Sequence, residues 1–361
     1  MIQSAATTPQ QSKPLLETLI ADQATAIDRD PAALSRAFQQ LGENHLLGLL
    51  APTSWGGQAW SSHQVYQFIE QSARYSGALA FLQIQHQRAV QELAESTNEP
   101  LKEQYLRDAA SGRLGLGVGY SHLRRPQPPI TAQAIEGGYC FNGTIPWITG
   151  LGIFQQCILA AALPNGQAVF VMAPFQSTET PQGRVIFSEP MDLAAMGSTQ
   201  TVAAQLDNWF VPQSLVLDIK PTGWIQAYDR QHPLTYSFFT LGCARAGLDV
   251  LQQSRQWGGN IVKTYDLLEN ELTDCRDQTY AALDQVDQVD CLALRAWAID
   301  VMMRCAHAAV TASRGAANYG DHPAQRVYRE ALAFTIFGQN NDVLNASFSY
   351  MATQYASRDK K

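Results

Sequence analysis

Apolar residues recur at three- and four-residue spacing from Leu15 to Ala110, the period of helices with one buried face. The run LLETLIADQATAIDRD ends before Pro31, and PAALSRAFQQLGENHLLGLL follows with Gly42 as its stop. LAPTSWGGQAW reads as a loop by its Pro, Ser and Gly content. Ser61 and Ser62 then lead into another helical run, HQVYQFIEQSARYSGALAFLQIQHQRAVQELA. From Gly112 the texture changes, and glycines crowd in at Gly112, Gly115, Gly117 and Gly119. Between Gly137 and Gly150 the chain reads GGYCFNGTIPWITG, with Gly-Gly and Asn-Gly turn pairs around short aromatic and β-branched runs. TAQAIEGGYCFNG predicts strand, turn, strand. CILAAALPNGQAVFVMAPF predicts a hairpin closed by Asn165-Gly166.

After Trp224 the helical period returns. It gives long runs over 233–257, from Leu267 to Ala282, over 291–315 and over 322–355, the last with Pro323 at its first turn. DQVDQVD at 284–290 reads as a solvated corner. The pattern predicts a disordered leader at 1–13, a helical domain at 14–113, a β-domain at 114–222 and a helical bundle at 223–361. The class is α+β and multi-domain.

Composition narrows the function classes. The 361 residues are enough for two or three domains with full cores. Hydrophobic residues at 46% and charged residues at 16% give a globular balance. A net charge of −7 lacks the basic footprint that nucleic-acid binding requires. The six cysteines form no C-x-x-C pair and have no histidine at zinc-ligand spacing, so they read as buried free thiols in a reducing compartment. The N-terminus has no apolar stretch of the secretory kind. From Gly137 to Thr178 there is no Asp, Glu, Lys or Arg, yet no apolar block nears the ~20 residues of a spanning helix. A cytoplasmic protein that is not membrane-bound is the expectation.

The GGY-x-x-NG turn at Gly137–Gly143, followed by Trp147, Ile148 and Thr149, resembles the middle domain of the acyl-CoA dehydrogenase family. Pro52 to Gly57, the segment from Ile69 to Arg74, Met196-Gly197, and Asp207, Asn208, Val211 and Pro212 extend the resemblance along most of the chain. It implies a helical N-terminal domain, a β-barrel-like middle domain and a C-terminal four-helix bundle. It further implies a flavin-dependent oxidoreductase with FAD as cofactor, a small-molecule substrate of the acyl-CoA kind, and a homodimer or homotetramer built on the C-terminal helices.

In that family the Trp packs on the flavin ring and the Thr hydrogen-bonds near N5, which casts Trp147, Ile148 and Thr149 as cofactor contacts. GLGVGYSH adds Gly119 and Ser121, and Gln339 and Asn340 follow from the late helix. Glycines of this type permit close backbone approach to a ligand.

The chain departs from the family at three places. Where the family has an acidic E-P-x-A-G-S-D segment, this chain has Arg124 and Arg125, which suit either an anionic substrate tail or a solvated surface pair. Removing an α-proton while hydride leaves for flavin requires a positioned base. Most of the family takes a Glu from a late helix, and Gly338 stands there. A minority takes it from the first C-terminal helix, and His232 stands there, otherwise a loop or capping residue. The pyrophosphate contacts are echoed faintly, by Arg255–Gly258 and Arg314–Ala317.

These departures leave open a two-component flavin-dependent monooxygenase of the same fold, using reduced flavin from a partner reductase and oxygen, or a non-catalytic relative. FAD is then held weakly or borrowed. His86 and His307, on helical runs, read either as packed, hydrogen-bonded histidines or as the lining of an interior cavity.

Overall fold

The computed structural model describes residues 9–286 and 289–356. The N-terminal region is helical: α1 (Pro9–Ile20), α2 (Ala24–Arg29), α3 (Pro31–Glu43), α4 (Ser62–Tyr75), α5 (Gly77–Glu95) and α6 (Glu99–Ala110). Helix α1 begins inside the expected leader, whose first eight positions lie outside the described residues. Asp30 caps α3 by accepting from the Ala32 amide, and Pro31 fills the first turn, where no amide donor is needed. Ser61 and Gln64 close a reciprocal capping box at the start of α4. The helical run after Ser62 is two helices. Ser76 takes extended backbone angles and its hydroxyl caps α5 through the Leu79 amide.

The middle region is one mixed sheet: β1 (Leu116–Gly119), β2 (Ile130–Ile135), β3 (Gly138–Ile148), β4 (Gln156–Ala162), β5 (Ala168–Pro174), β6 (Thr178–Thr180), β7 (Gly183–Phe187), β8 (Val202–Pro212) and β9 (Val216–Lys220). Its order is β6-β7-β8-β3-β2-β4-β5-β9, with β1 parallel to β4. A single pairing, Thr131 with Ala162, joins β2 to β4. The sheet thus has two lobes joined there: β6-β7-β8-β3-β2, antiparallel throughout, and β4-β5-β9, antiparallel with β1 added in parallel.

The β4–β5 hairpin is the predicted one. Gly166 lies at φ +84° and the Leu163 amide donates to Gln167. Asn142-Gly143 is not a turn, however. It sits inside β3 at a bulge against β8, and a side chain at Gly143 would strike the Pro129 carbonyl at 2.3 Å.

The C-terminal helices are α7 (Trp224–Gln231), α8 (Ser237–Gln253), α9 (Asn260–Ala282), α10 (Cys291–Ser313), α11 (Pro323–Thr335) and α12 (Asn341–Ala356). Helix α10 is the centre of this bundle, packing on α8, α9, α11 and α12. Part of the corner expected at 284–290 lies outside the described residues. The predicted last helix is broken at Gly338 into α11 and α12.

Polar ties fasten the N-terminal helices to the bundle. Arg74 clamps Asp249 through two bonds of 2.6 and 2.9 Å, and Glu70 accepts from Arg276 and Tyr280 at 2.7 and 2.6 Å. The Glu330 carboxylate, fully buried, accepts from the Gly77 amide at 3.0 Å and from Arg326, while Arg329 reaches Asp28. All six cysteines are free thiols, and five are buried. Among the described residues no helix is long and apolar enough to cross a membrane, and no group of His, Cys, Asp or Glu is arranged to hold a metal.

Candidate functional site

Where the sheet meets α4, α5, α7 and α11, the chain encloses a cavity of about 900 Å³. That volume falls within the ~300–1,000 Å³ of pockets that bury a small organic ligand. Seven of the residues singled out from sequence line it: Trp147, Thr149, Ser121, Arg124, Arg125, His232 and Gln339. They come from distant parts of the chain, and the fold brings them to one wall.

The end of β3 makes the first face. A register shift against β8 between Ile145 and Ile148 breaks the alternation, so both turn into the core and Trp147 is left half exposed over the cavity. Thr149 follows, nearly buried, and its hydroxyl lies 3.0 Å from that of Thr201. Thr201 and Thr199 also line the cavity, so three hydroxyls stand together beside an indole. A flat, largely apolar ring with polar edge atoms suits such a wall.

Three expected contacts lie elsewhere. Ile148 is core, not cavity. Gly119 is spent on that same packing: a side chain there would meet Ile148 and Leu159 at 2.9 Å. Asn340 caps α12 through the Val343 amide.

Arg124 is neither a free anion receptor nor a solvated surface pair. It forms a two-bond ion pair with Asp229 of α7, at 2.8 and 2.7 Å, partly buried at the cavity. Burial pulls its guanidinium down, but the bonds to Asp229 and the surrounding phenols and carboxylate more than restore it, so it is held above its ordinary range. Arg125 lines the cavity beside it and is exposed.

Asp229 is the sole carboxylate lining the cavity among the described residues, and Arg124 occupies it. His232 stacks on Tyr228 at 4.2 Å, and its Nδ1 donates to the Tyr228 carbonyl at 3.0 Å, which leaves Nε2 as an acceptor.

Gly338 closes the late-helix position by geometry. Its φ is +57°, and a side chain there would lie 2.1 Å from the Tyr236 ring. Tyr236 in turn rests over the Arg295 guanidinium at 5.3 Å. Arg295 is buried and donates to the Pro233 and Phe337 carbonyls, and burial draws it down to about 10. The ring, the buried cation beneath it and the left-handed glycine fill the volume that a glutamate stem requires.

Sequence reading missed Arg88, Tyr120, Tyr228, Tyr236 and Asp229. Arg88 donates to the Tyr228 hydroxyl at 2.9 Å and to the Tyr120 hydroxyl at 3.2 Å, pairs with Glu92, and lies 4.2 Å from the Tyr228 ring centroid. Burial pushes the Tyr228 phenol up to about 12. Arg88 and Glu92 sit at ordinary i,i+4 spacing on α5, which by itself marks no site; the contacts of Arg88 with Tyr120 and Tyr228, and of Asp229 with Arg124, join different elements and leave no local signal. Arg255 and Arg314 are absent from the cavity wall. Arg255 pairs with Asp266, and Arg314 lies over the Trp257 ring at 5.2 Å.

Comparison with known proteins agrees with this architecture. Residues 10–113 match the acyl-CoA dehydrogenase N-terminal domain. The mitochondrial isovaleryl-CoA dehydrogenase of Oryza sativa subsp. japonica is 22% identical over 336 residues, covering 85% of this chain and 80% of that protein. Among solved structures, glutaryl-coenzyme A dehydrogenase in its glutaryl-CoA complex aligns with a TM-score of 0.80 at 17% identity, over 96% of this chain and 94% of the other. PigA with FAD and proline aligns with a TM-score of 0.77 at 18% identity, over 97% of both. Residues 10–113 thus match this family's N-terminal domain, and the chain is similar to acyl-CoA dehydrogenases over most of its length and shares their fold from end to end.

Proposed function

We propose that the protein is a flavin-dependent oxidoreductase whose cavity takes FAD against Trp147 and the hydroxyls at Thr149, Thr199 and Thr201, with a small-molecule substrate beside it. One observation carries this: Trp147 and Thr149 at the end of β3, Ser121 after β1 and Gln339 between α11 and α12 line the same cavity. The solved relatives of this fold include complexes with FAD and with an acyl-CoA, which supports both the cofactor and an acyl thioester as substrate class. FAD, when bound, supplies acceptance or delivery of a hydride. The chain's own residues supply the apolar face and the hydroxyl edge. His232, whose Nδ1 faces the Tyr228 carbonyl, is the candidate proton acceptor through Nε2.

A second reading is favoured by the Gly338–Tyr236 contact. With the late-helix position closed and Asp229 engaged by Arg124, the wall offers no free carboxylate for α-proton removal. An enzyme that receives reduced flavin from a reductase and reacts it with oxygen requires none.

The exposed row Tyr328 and Leu332 on α11 and Ile336 just after it, with Leu344, Phe348 and Met351 on α12, supports a homo-oligomer in which a second copy covers these residues. The divisions 14–113, 114–222 and 223–361 serve as its domain boundaries.

The deciding experiment is an absorption spectrum after FAD is added and excess removed, followed by an acyl thioester. Retained yellow colour bleached by thioester supports the dehydrogenase. Oxygen uptake with reduced flavin, without bleaching, supports the second reading. A colourless protein inert to both refutes the oxidoreductase.

A further inference from the structure

The three cavity threonines carry more information than their polarity. Thr149 follows β3, Thr199 lies in the turn Gly197–Thr199, and Thr201 precedes β8. The Thr149 and Thr201 hydroxyl oxygens are 3.0 Å apart, those of Thr201 and Thr199 are 3.2 Å apart, and Thr199 Oγ1 lies 2.7 Å from the Met196 carbonyl oxygen. All three side chains are buried. Each hydroxyl has one proton to give.

A carbonyl only accepts, so Thr199 spends its proton on Met196. The contact between Thr199 and Thr201 must then use the proton of Thr201. The contact between Thr201 and Thr149 must use that of Thr149. Three protons serve three bonds in one order only, and any other leaves two buried oxygens facing each other without a proton between them. The relay runs one way, from Thr149 through Thr201 and Thr199 to the carbonyl, and each link polarises the next.

Thr149 is left with lone pairs alone to offer the cavity. We propose that this ordered wall selects a ligand presenting an N–H to Thr149 and, resting on the flavin reading above, that the cavity binds reduced FAD more tightly than oxidised FAD. The oxidised flavin ring carries a bare lone pair at N5. Two-electron reduction places a proton there and turns an acceptor into a donor. At a hydroxyl as buried as that of Thr149, acceptor against acceptor is a lost bond, and acceptor against donor is a made one. The preference is at least tenfold. By linkage, tenfold tighter binding of the reduced form raises the two-electron potential of the bound flavin by about 30 mV.

The test compares dissociation constants of oxidised FAD and of anaerobically reduced FAD on the full chain, with the bound potential read independently. Wild type gives a ratio of ten or more. Thr201→Val removes the group that receives the Thr149 proton, so Thr149 can donate, oxidised FAD binds more tightly and the ratio narrows toward one. Thr201→Ser keeps the relay and the ratio. Equal affinities, or tighter binding of oxidised FAD, in wild type overturn the proton order while the flavin site stands. Binding of neither form overturns both readings. If Thr201→Val fails to fold, the wild-type ratio alone decides.

Discussion

Gly338→Ala is the most informative single substitution in this chain. The backbone there is left-handed, at φ +57°, which costs a side-chain-bearing residue about 1–2 kcal/mol. The added carbon would stand 2.1 and 2.3 Å from two carbons of the Tyr236 ring, inside any tolerable contact. The ring cannot yield freely, because Arg295 lies under it and Phe239 and Phe337 flank it at 6.3 and 6.4 Å. Displacing it is an overpacking cost of about 1–3 kcal/mol. The sum is about 2–5 kcal/mol, or roughly 4–10 °C in Tm at roughly 2 °C per kcal/mol for a chain of this size. Thermal and urea unfolding of Gly338→Ala, Tyr236→Ala and the double variant measure it. In the Tyr236→Ala background only the backbone part remains, so the glycine substitution costs less there by at least 1 kcal/mol, read as a coupling energy. A cost below about 0.5 kcal/mol, or one unchanged by Tyr236→Ala, would refute the claim that this ring closes the position. The same geometry predicts that Gly338→Glu gains no thioester-oxidising activity.

Three further outcomes follow from features described above. Burial holds His86 and His122 neutral, each drawn down to about 4, whereas an unfolded histidine titrates near ~6.5; the unfolded chain alone takes up protons between those values, so stability falls as pH drops from 6.5 toward 4 by up to about 1.4 kcal/mol per unit per histidine. Urea midpoints at pH 7 and pH 5 check this, and His86→Asn should flatten the slope; an unchanged slope contradicts it. Asp229→Asn strips Arg124 of its charge partner and should destabilise by about 3 kcal/mol, more than Arg124→Met with Asp229→Leu together; the reverse ranking would show the pair to be superficial. Phe348→Glu should shift the molar mass seen by light scattering from oligomer to monomer, and a wild-type monomer at tens of micromolar would end the assembly proposal.

The helix–sheet–helix order was legible because period and turn chemistry are local signals, as at Asn165-Gly166. The same dipeptide at Asn142-Gly143 misled, since a bulge is set by the partner strand and not by the residues themselves. The breaks at Ser76 and Gly338 are hidden because the apolar period runs straight across them; the first is marked by a hydroxyl cap and the second by a left-handed glycine packed against the Tyr236 ring. At the site, Trp147, Thr149 and Ser121 could be found because each sits in a recognisable segment. The fate of Arg124 could not, because its partner lies 105 residues away. Nor could the direction of the hydroxyl relay, which rests on three distances and a carbonyl.

The buried acidic groups at Glu330 and Asp28 bear on how such a chain can be cut and recombined. Glu330 keeps Arg326 within the late bundle but also accepts from the Gly77 amide, and Asp28 belongs to the opening helices but is reached by Arg329. A break between the regions takes one donor from Glu330 and separates Asp28 from its arginine. The segments that look modular along the sequence are therefore inherited, exchanged or expressed together, and a fragment made at either boundary should be insoluble rather than merely inactive.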